Sequence, residues 1–90
     1  MTYDLFGMDA CSELKDIVSM VVCGLTDLPN RVKIRADGFE DKHVFVTVIC
    51  AKEDIKRIVG KEGRNITALR TLAQAIAAKH SQKTTVSIEE

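Results

Sequence analysis

The chain has 90 residues, enough for one small domain with a thin core, because a chain this short buries only about 60–65% of its unfolded surface. With 46% hydrophobic residues, 29% charged residues and a single proline, it is excluded from the disordered and collagen-like classes. The formal net charge is zero, yet it is unevenly spread, at −4 over residues 1–30, +1 over 31–50, +4 over 51–80 and −1 over 81–90.

Leu14, Ile17, Val18, Val21, Val22 and Leu25 recur at spacings of three and four with Glu13, Lys15, Asp16 and Ser19 between them. That spacing predicts an amphipathic helix over 10–26, capped by Asp9 or Ser12, with Gly24 and Pro29 bracketing its end. The period then changes to two: Val32, Ile34 and Ala36 alternate with Arg31, Lys33 and Arg35, the pattern of a strand with one wet face. Asp37-Gly38 offers turn chemistry. Residues 43–50, HVFVTVIC, predict a second strand, with Val44, Val46, Val48 and Cys50 on one face and Phe45, Thr47 and Ile49 on the other.

Glu53 and Asp54 suit the positive start of a short helix whose apolar side is Ile55, Ile58 and Val59 and which Gly60 ends. A longer helix is expected from Arg64 to about His80, with Ile66, Leu69, Leu72, Ala73, Ile76 and Ala77 as its stripe. A last strand, 84–89, places Val86 and Ile88 against Thr85, Ser87 and Glu89. The order α-β-β-α-α-β predicts an α+β fold, a three-stranded mixed sheet with helices on one face. The first two strands are then antiparallel, and the last is parallel to the second. Residues 1–9 read as an N-terminal tail and 10–90 as a single domain.

Six of the 13 basic residues, Lys52, Lys56, Arg57, Lys61, Arg64 and Arg70, lie within 19 positions around Gly60-Lys61-Glu62-Gly63. Such a run serves either a solvated helix face or an anion. Walker and dinucleotide loops need G-x-x-x-x-G-K-[ST] or G-x-G-x-x-G after a strand; this segment has only G-x-x-G and lies between helices. A helix–GxxG–helix turn lets a nucleic-acid backbone approach main-chain N–H groups at the start of the second helix, with Lys61 and Arg64 as cationic contacts. A tight corner between two helices needs glycines as well, so the glycines alone leave both explanations open.

The segment Ile58-Val59-Gly60-Lys61-Glu62-Gly63-Arg64-Asn65-Ile66 resembles the core of the KH domain, in which two aliphatics precede GxxG and a third follows two residues later. The element order is similar to the type II arrangement, and DIKRIVGKEGRNITALRTL resembles the small bacterial single-domain KH proteins of the KhpA family. The resemblance covers about residues 10–89. It implies a non-catalytic RNA-binding protein, an RNA chaperone or post-transcriptional regulator, whose loop Gly60, Lys61, Glu62, Gly63 clamps single-stranded RNA. It also implies an aliphatic groove floor, for which Val59, Ile66 and Val48 are candidates, although the apolar spacing of each suits plain core better. Lys56, Arg57, Arg64 and Arg70 would extend the phosphate path. Self-association as a homodimer, or pairing with a larger KH-domain protein, is the alternative use of the fold that the resemblance implies. Glu62 departs from the chemistry of the site, since its charge repels phosphate unless it points away.

Cys11, Cys23 and Cys50 are odd in number and form no CxxC, so buried thiols of a reducing compartment are expected, with neither a disulfide framework nor a metal site. No stretch approaches the 18 apolar residues of a membrane span, and MTYDLFGMD lacks the features of a signal peptide, so a cytoplasmic protein without a membrane role is expected. His43 and His80 have no nucleophile or metal-ligand spacing around them, which leaves no active site, cofactor or small-molecule substrate to assign. Aromatic residues are only 4% of the chain, so base stacking on protein rings contributes little and binding is expected to be salt-sensitive.

Overall fold

The computed structural model describes residues 9–39 and 42–90. The expected tail therefore lies outside the described residues apart from Asp9, which caps the first helix. Helix α1 spans Ala10–Leu25, and the Ser12 N–H donates to Asp9 Oδ1 at 2.8 Å. Its buried stripe is Ala10, Leu14, Val18 and Val22. Gly24 remains inside the helix, and the chain leaves it at Thr26, whose backbone is extended.

Strands β1 (Lys33–Phe39) and β2 (His43–Ile49) are antiparallel, with Ile34 opposite Val48 and Ala36 opposite Val46. Asp37 and Gly38 do not turn the chain: both lie in β1, opposite Phe45 and Val44. The physical reason is packing, because a Cβ on Gly38 would stand 3.2 Å from the Cys11 Sγ, so glycine lets the end of β1 approach the start of α1. Helix α2 (Ile55–Val59) follows a single 3-10 turn, and α3 spans Arg64–Lys79. Strand β3 (Lys83–Glu89) pairs with β2 in parallel, Val86 beside Val46, giving the sheet order β1-β2-β3.

The fold is thus the expected α+β arrangement, a mixed sheet with α1 packed on β1 and α3 on β3, and the two helices against each other. Val44, Val46 and Val48 of the middle strand are wholly enclosed under this layer with Leu14, Val18, Ile58 and Leu69. Cys50 stops short of the strand, but its N–H still bonds the Glu89 carbonyl. Among the described residues nothing covers the opposite sheet face, and on it Phe39 and Phe45 meet edge to face at 5.3 Å, with His43 stacked on Phe45. Leu72, expected in the α3 stripe, is instead 52% exposed; the buried stripe is Ile66, Leu69, Ala73 and Ala77. A stripe of these four residues already covers the contact with the sheet, and Leu72 sits just beyond its border.

The three cysteines are free thiols. Burial pushes the Cys11 and Cys50 thiols up from the ordinary value, with nearby carboxylates adding to the effect. Among the described residues, no helix is long and apolar enough to cross a membrane.

Candidate nucleic-acid interface

The five residues of α2 are too few to hold a helix by themselves, since helix nucleation is unfavourable and short helices depend on packing. Ile58 anchors it in the core. A second anchor comes from Asp54, which sequence spacing assigns to the helix start but which makes no cap for α2. Its carboxylate is buried, at 1% exposure, and accepts the N–H groups of Asp27 and Leu28 at 3.1 Å each. Arg57 Nη1 approaches it at 3.3 Å, and Arg57 Nη2 reaches Asp27 at 2.9 Å. Burying a carboxylate is costly without such partners, and here they tie the α1–β1 connection to α2.

Gly60 ends α2 at φ +79°, ψ 172°, a combination essentially reserved for glycine. Its N–H bonds the Lys56 carbonyl at 2.8 Å, and the Gly63 N–H bonds the Gly60 carbonyl at 3.1 Å. Glu62 (φ +57°) and Gly63 (φ +73°) are both left-handed, which turns the chain within four residues into the start of α3. Gly63, at the N-cap of α3, brings no side chain to close that end. The Arg64 N–H already bonds the Lys61 carbonyl, so it is the dipole at this helix start that favours an anion there.

Lys61, Glu62 and Arg64 are exposed, and Gly60 and Gly63 half-buried. Glu62 turns toward Arg64, whose Nη2 lies 3.3 Å from its carboxylate in a pair open to solvent. Such an exposed pair contributes little. Lys61 and Lys56 are exposed and make no ion pair among the described residues. Arg57 differs: its guanidinium is engaged by Asp27, Asp54 and the Glu53 carbonyl. Val59 is half-buried and Ile66 buried beside the loop, whereas Val48 is wholly enclosed and forms no exposed floor. The helix layer over the middle strand is what covers it.

Arg70 lies about two turns along α3 from the loop. Its Nε and Nη2 both donate to the Val86 carbonyl at 3.3 Å, on the strand at the edge of the sheet. Beside it a cleft of about 150 Å³ is lined by Arg70, Gln74, Thr84, Thr85 and Val86. It shares Gln74 and Thr84 with a second cleft of about 380 Å³ that extends to His43, Ala78, Gln82 and Lys83. Among the described residues, the lining of the groove between α3 and β3 thus carries cations, amides and hydroxyls and no carboxylate. Gln74 and Ala78 follow Arg70 at successive steps of four, a signal present in the helix pattern, but Lys83 and Thr84 join them only through the parallel pairing of β3. Asn65 is the other residue to which the sequence assigns no role. Its Nδ2 donates to the Arg57 carbonyl at 2.9 Å, spanning the whole loop. Among the described residues no cluster of His, Cys, Asp and Glu suits a metal ion.

Relatives match over most of the chain. A protein named RNA-binding protein KhpA from Chlamydia caviae is 35% identical over 78 residues, which is 86% of this chain and 97% of that protein. The protein of the same name from Listeria monocytogenes is 31% identical over 77 residues, 86% of this chain and the full length of that protein. Among solved structures, Aquifex aeolicus Era bound to GDP and AlF4 superposes with a TM-score of 0.59 at 12% identity, over 90% of this chain and 31% of that one. Era in complex with MgGDPNP and nucleotides of 16S ribosomal RNA gives a TM-score of 0.55 at 14% identity, over 83% of this chain and 28% of that one. At such identities the likeness is one of fold, and this chain spans about a third of each Era chain. Residues 15–88 match the family model described as KhpA/KhpB, KH domain, and the chain belongs to that family.

Proposed function

We propose that this protein is a non-catalytic RNA-binding protein that holds the backbone of single-stranded RNA at the Gly60–Gly63 loop. The carrying observation is the loop itself: two glycines at positive φ turn the chain into a 16-residue helix whose N-cap, Gly63, brings no side chain to close it, flanked by Lys56, Lys61 and Arg64. The name RNA-binding protein KhpA, carried by relatives that match almost end to end, supports the same reading. From the loop the strand follows α3 past Arg70 into the groove beside β3, where amide and hydroxyl groups face the bases. A chain with these weak, distributed contacts suits a cytoplasmic RNA chaperone or post-transcriptional regulator.

The test is RNA binding by fluorescence anisotropy at two salt concentrations, for the wild type and for Lys61→Asp combined with Glu62→Asp. Circular dichroism confirms the fold of both. Loss of binding in the double variant is the expected result, and equal binding by both proteins rejects the clamp.

A second reading, association with another copy or with a larger KH-domain protein, is favoured by one feature. Ala68, Thr71, Leu72 and Ala75 form an exposed, uncharged stripe along α3, with Leu72 at its centre. Light scattering on the wild type and on Leu72→Glu tests it: a dimer that the substitution converts to monomer supports the reading, and a monomeric wild type rejects self-association.

A further inference from the structure

We propose that Arg57 and Asn65 are positioning residues, which fix the shape of the Gly60–Gly63 loop without touching the RNA; this rests on the RNA-backbone reading above. Arg57 is the point where two sets of bonds meet. Its guanidinium lies 2.9 Å from Asp27 and 3.3 Å from the buried Asp54, and donates to the Glu53 carbonyl at 3.1 Å, so its planar fork is occupied by protein acceptors. Its main-chain carbonyl belongs to the last turn of α2 and has no residue further along that helix to bond. Asn65, eight residues on, supplies the donor.

The Asn65 amide also occupies the space over Gly60. A Cβ on Gly60 would lie 2.6 Å from the Asn65 Cγ and 2.8 Å from its Nδ2, closer than real side chains approach. Gly60 therefore answers two demands, a backbone conformation and room for this amide. Between the Arg57 carbonyl and the Asn65 side chain, residues 58–64 are closed into a ring, reinforced within by the Gly63–Gly60 bond and tied back to α2 by the Gly60–Lys56 bond. The ring holds Lys61 and Glu62 at its exposed tip, and the Arg57–Asp54–Asp27 contacts fasten the ring to the connection between α1 and β1. A ligand that meets a loop already in its bound shape loses less conformational entropy on binding.

Positioning and phosphate contact are separable by experiment. Each phosphate contact on a single strand adds about 0.7 to the slope of log affinity against log salt, whereas a positioning residue changes affinity at constant slope. The experiment uses the full chain and a labelled uridine decamer, titrated over a series of KCl concentrations, with Lys61→Ala, Arg57→Lys and Asn65→Ala. Backbone ¹⁵N relaxation of Lys61, Glu62 and Gly63 is measured on the same variants without RNA.

Lys61→Ala is expected to lower the slope by about 0.7. Asn65→Ala and Arg57→Lys are expected to weaken binding about tenfold at wild-type slope and to raise the mobility of the loop; Arg57→Lys does so while keeping its charge because it loses the fork. Near-wild-type affinity in Arg57→Lys, or unchanged loop relaxation in Asn65→Ala, overturns the proposal. Should the wild type fail to bind RNA, the clamp fails, and the relaxation arm still decides whether these two residues hold the loop.

Discussion

Gly38 and Gly60 look alike in the sequence, each beside charged residues and each able to turn the chain, but the structure uses them for different purposes. Gly60 stands at φ +79° and ends a helix, whereas Gly38 is an ordinary strand residue paired with Val44. The first is glycine because of its own backbone conformation and the Asn65 amide above it. The second is glycine because Cys11 of another element is close. A conformational demand cannot be relaxed by neighbours, while a packing demand can.

The comparison predicts a series of unequal substitutions. Gly60→Ala should be the most damaging, by about 3 kcal/mol in urea unfolding, since a nearly glycine-only conformation and the Asn65 overlap act together. In an Asn65→Ala background the overlap is gone and only the conformational part should remain. Full additivity of the two substitutions would break the account. Gly63→Ala, also left-handed but with no neighbouring atom closer than 3.9 Å to a new Cβ, should cost about 1 kcal/mol.

Gly38→Ala should change stability by no more than about 0.5 kcal/mol, because the gain from a stiffer unfolded chain offsets the contact with the Cys11 Sγ. Adding Cys11→Ala should make the same substitution stabilising. If Gly38→Ala proved as costly as Gly60→Ala, the distinction between the two glycines would fail.

The two ends of α3 sharpen the comparison with a smaller effect. The N-terminal end is held by the neutral amide of Asn65, the C-terminal end by Glu13, which takes Lys79 Nζ at 2.6 Å and His80 Nε2 at 2.8 Å. Lys79 first, and His80 after it, hold the Glu13 carboxyl below the ordinary glutamate value of 4.5. With the folded value depressed, the tie contributes fully above pH 4.5 and is lost as pH falls through the folded value. Stability measured from pH 6 downward should therefore fall less steeply below pH 4.5 in Glu13→Gln than in the wild type, while RNA affinity at neutral pH stays the same. An unchanged acid slope would show that Glu13 contributes nothing to this end of the helix.

Legibility in the sequence followed the range of each interaction. The helix stripe of α1, the alternation of β1 and β2 and the GxxG corner depend on neighbours within a few positions, and the structure agrees with them closely. Asp54 stands at the start of α2 as its position in the sequence indicates, but its partners, Asp27 and Leu28, are not legible because they lie 27 and 26 residues away. A carboxylate before a short helix looks like a cap until the connection after α1 is found against it. Leu72 fits the apolar period of α3 as well as Ala73 does, and only the width of the sheet beneath decides that one is covered and the other is not.

By itself, the sequence determined the type and order of the main elements, α-β-β-α-α-β, and the place of the Gly60–Gly63 corner, because periodicity and glycine stereochemistry are local properties. Tertiary structure alone decided which polar groups are free to meet a ligand. It gave the Arg57 guanidinium to Asp54 and Asp27, placed the Asn65 amide over Gly60, and brought Arg70 and Gln74 beside Thr84 to form a groove. The physical reason is that a hydrogen bond or ion pair is settled by distance in space, and a chain records that distance only once it has folded.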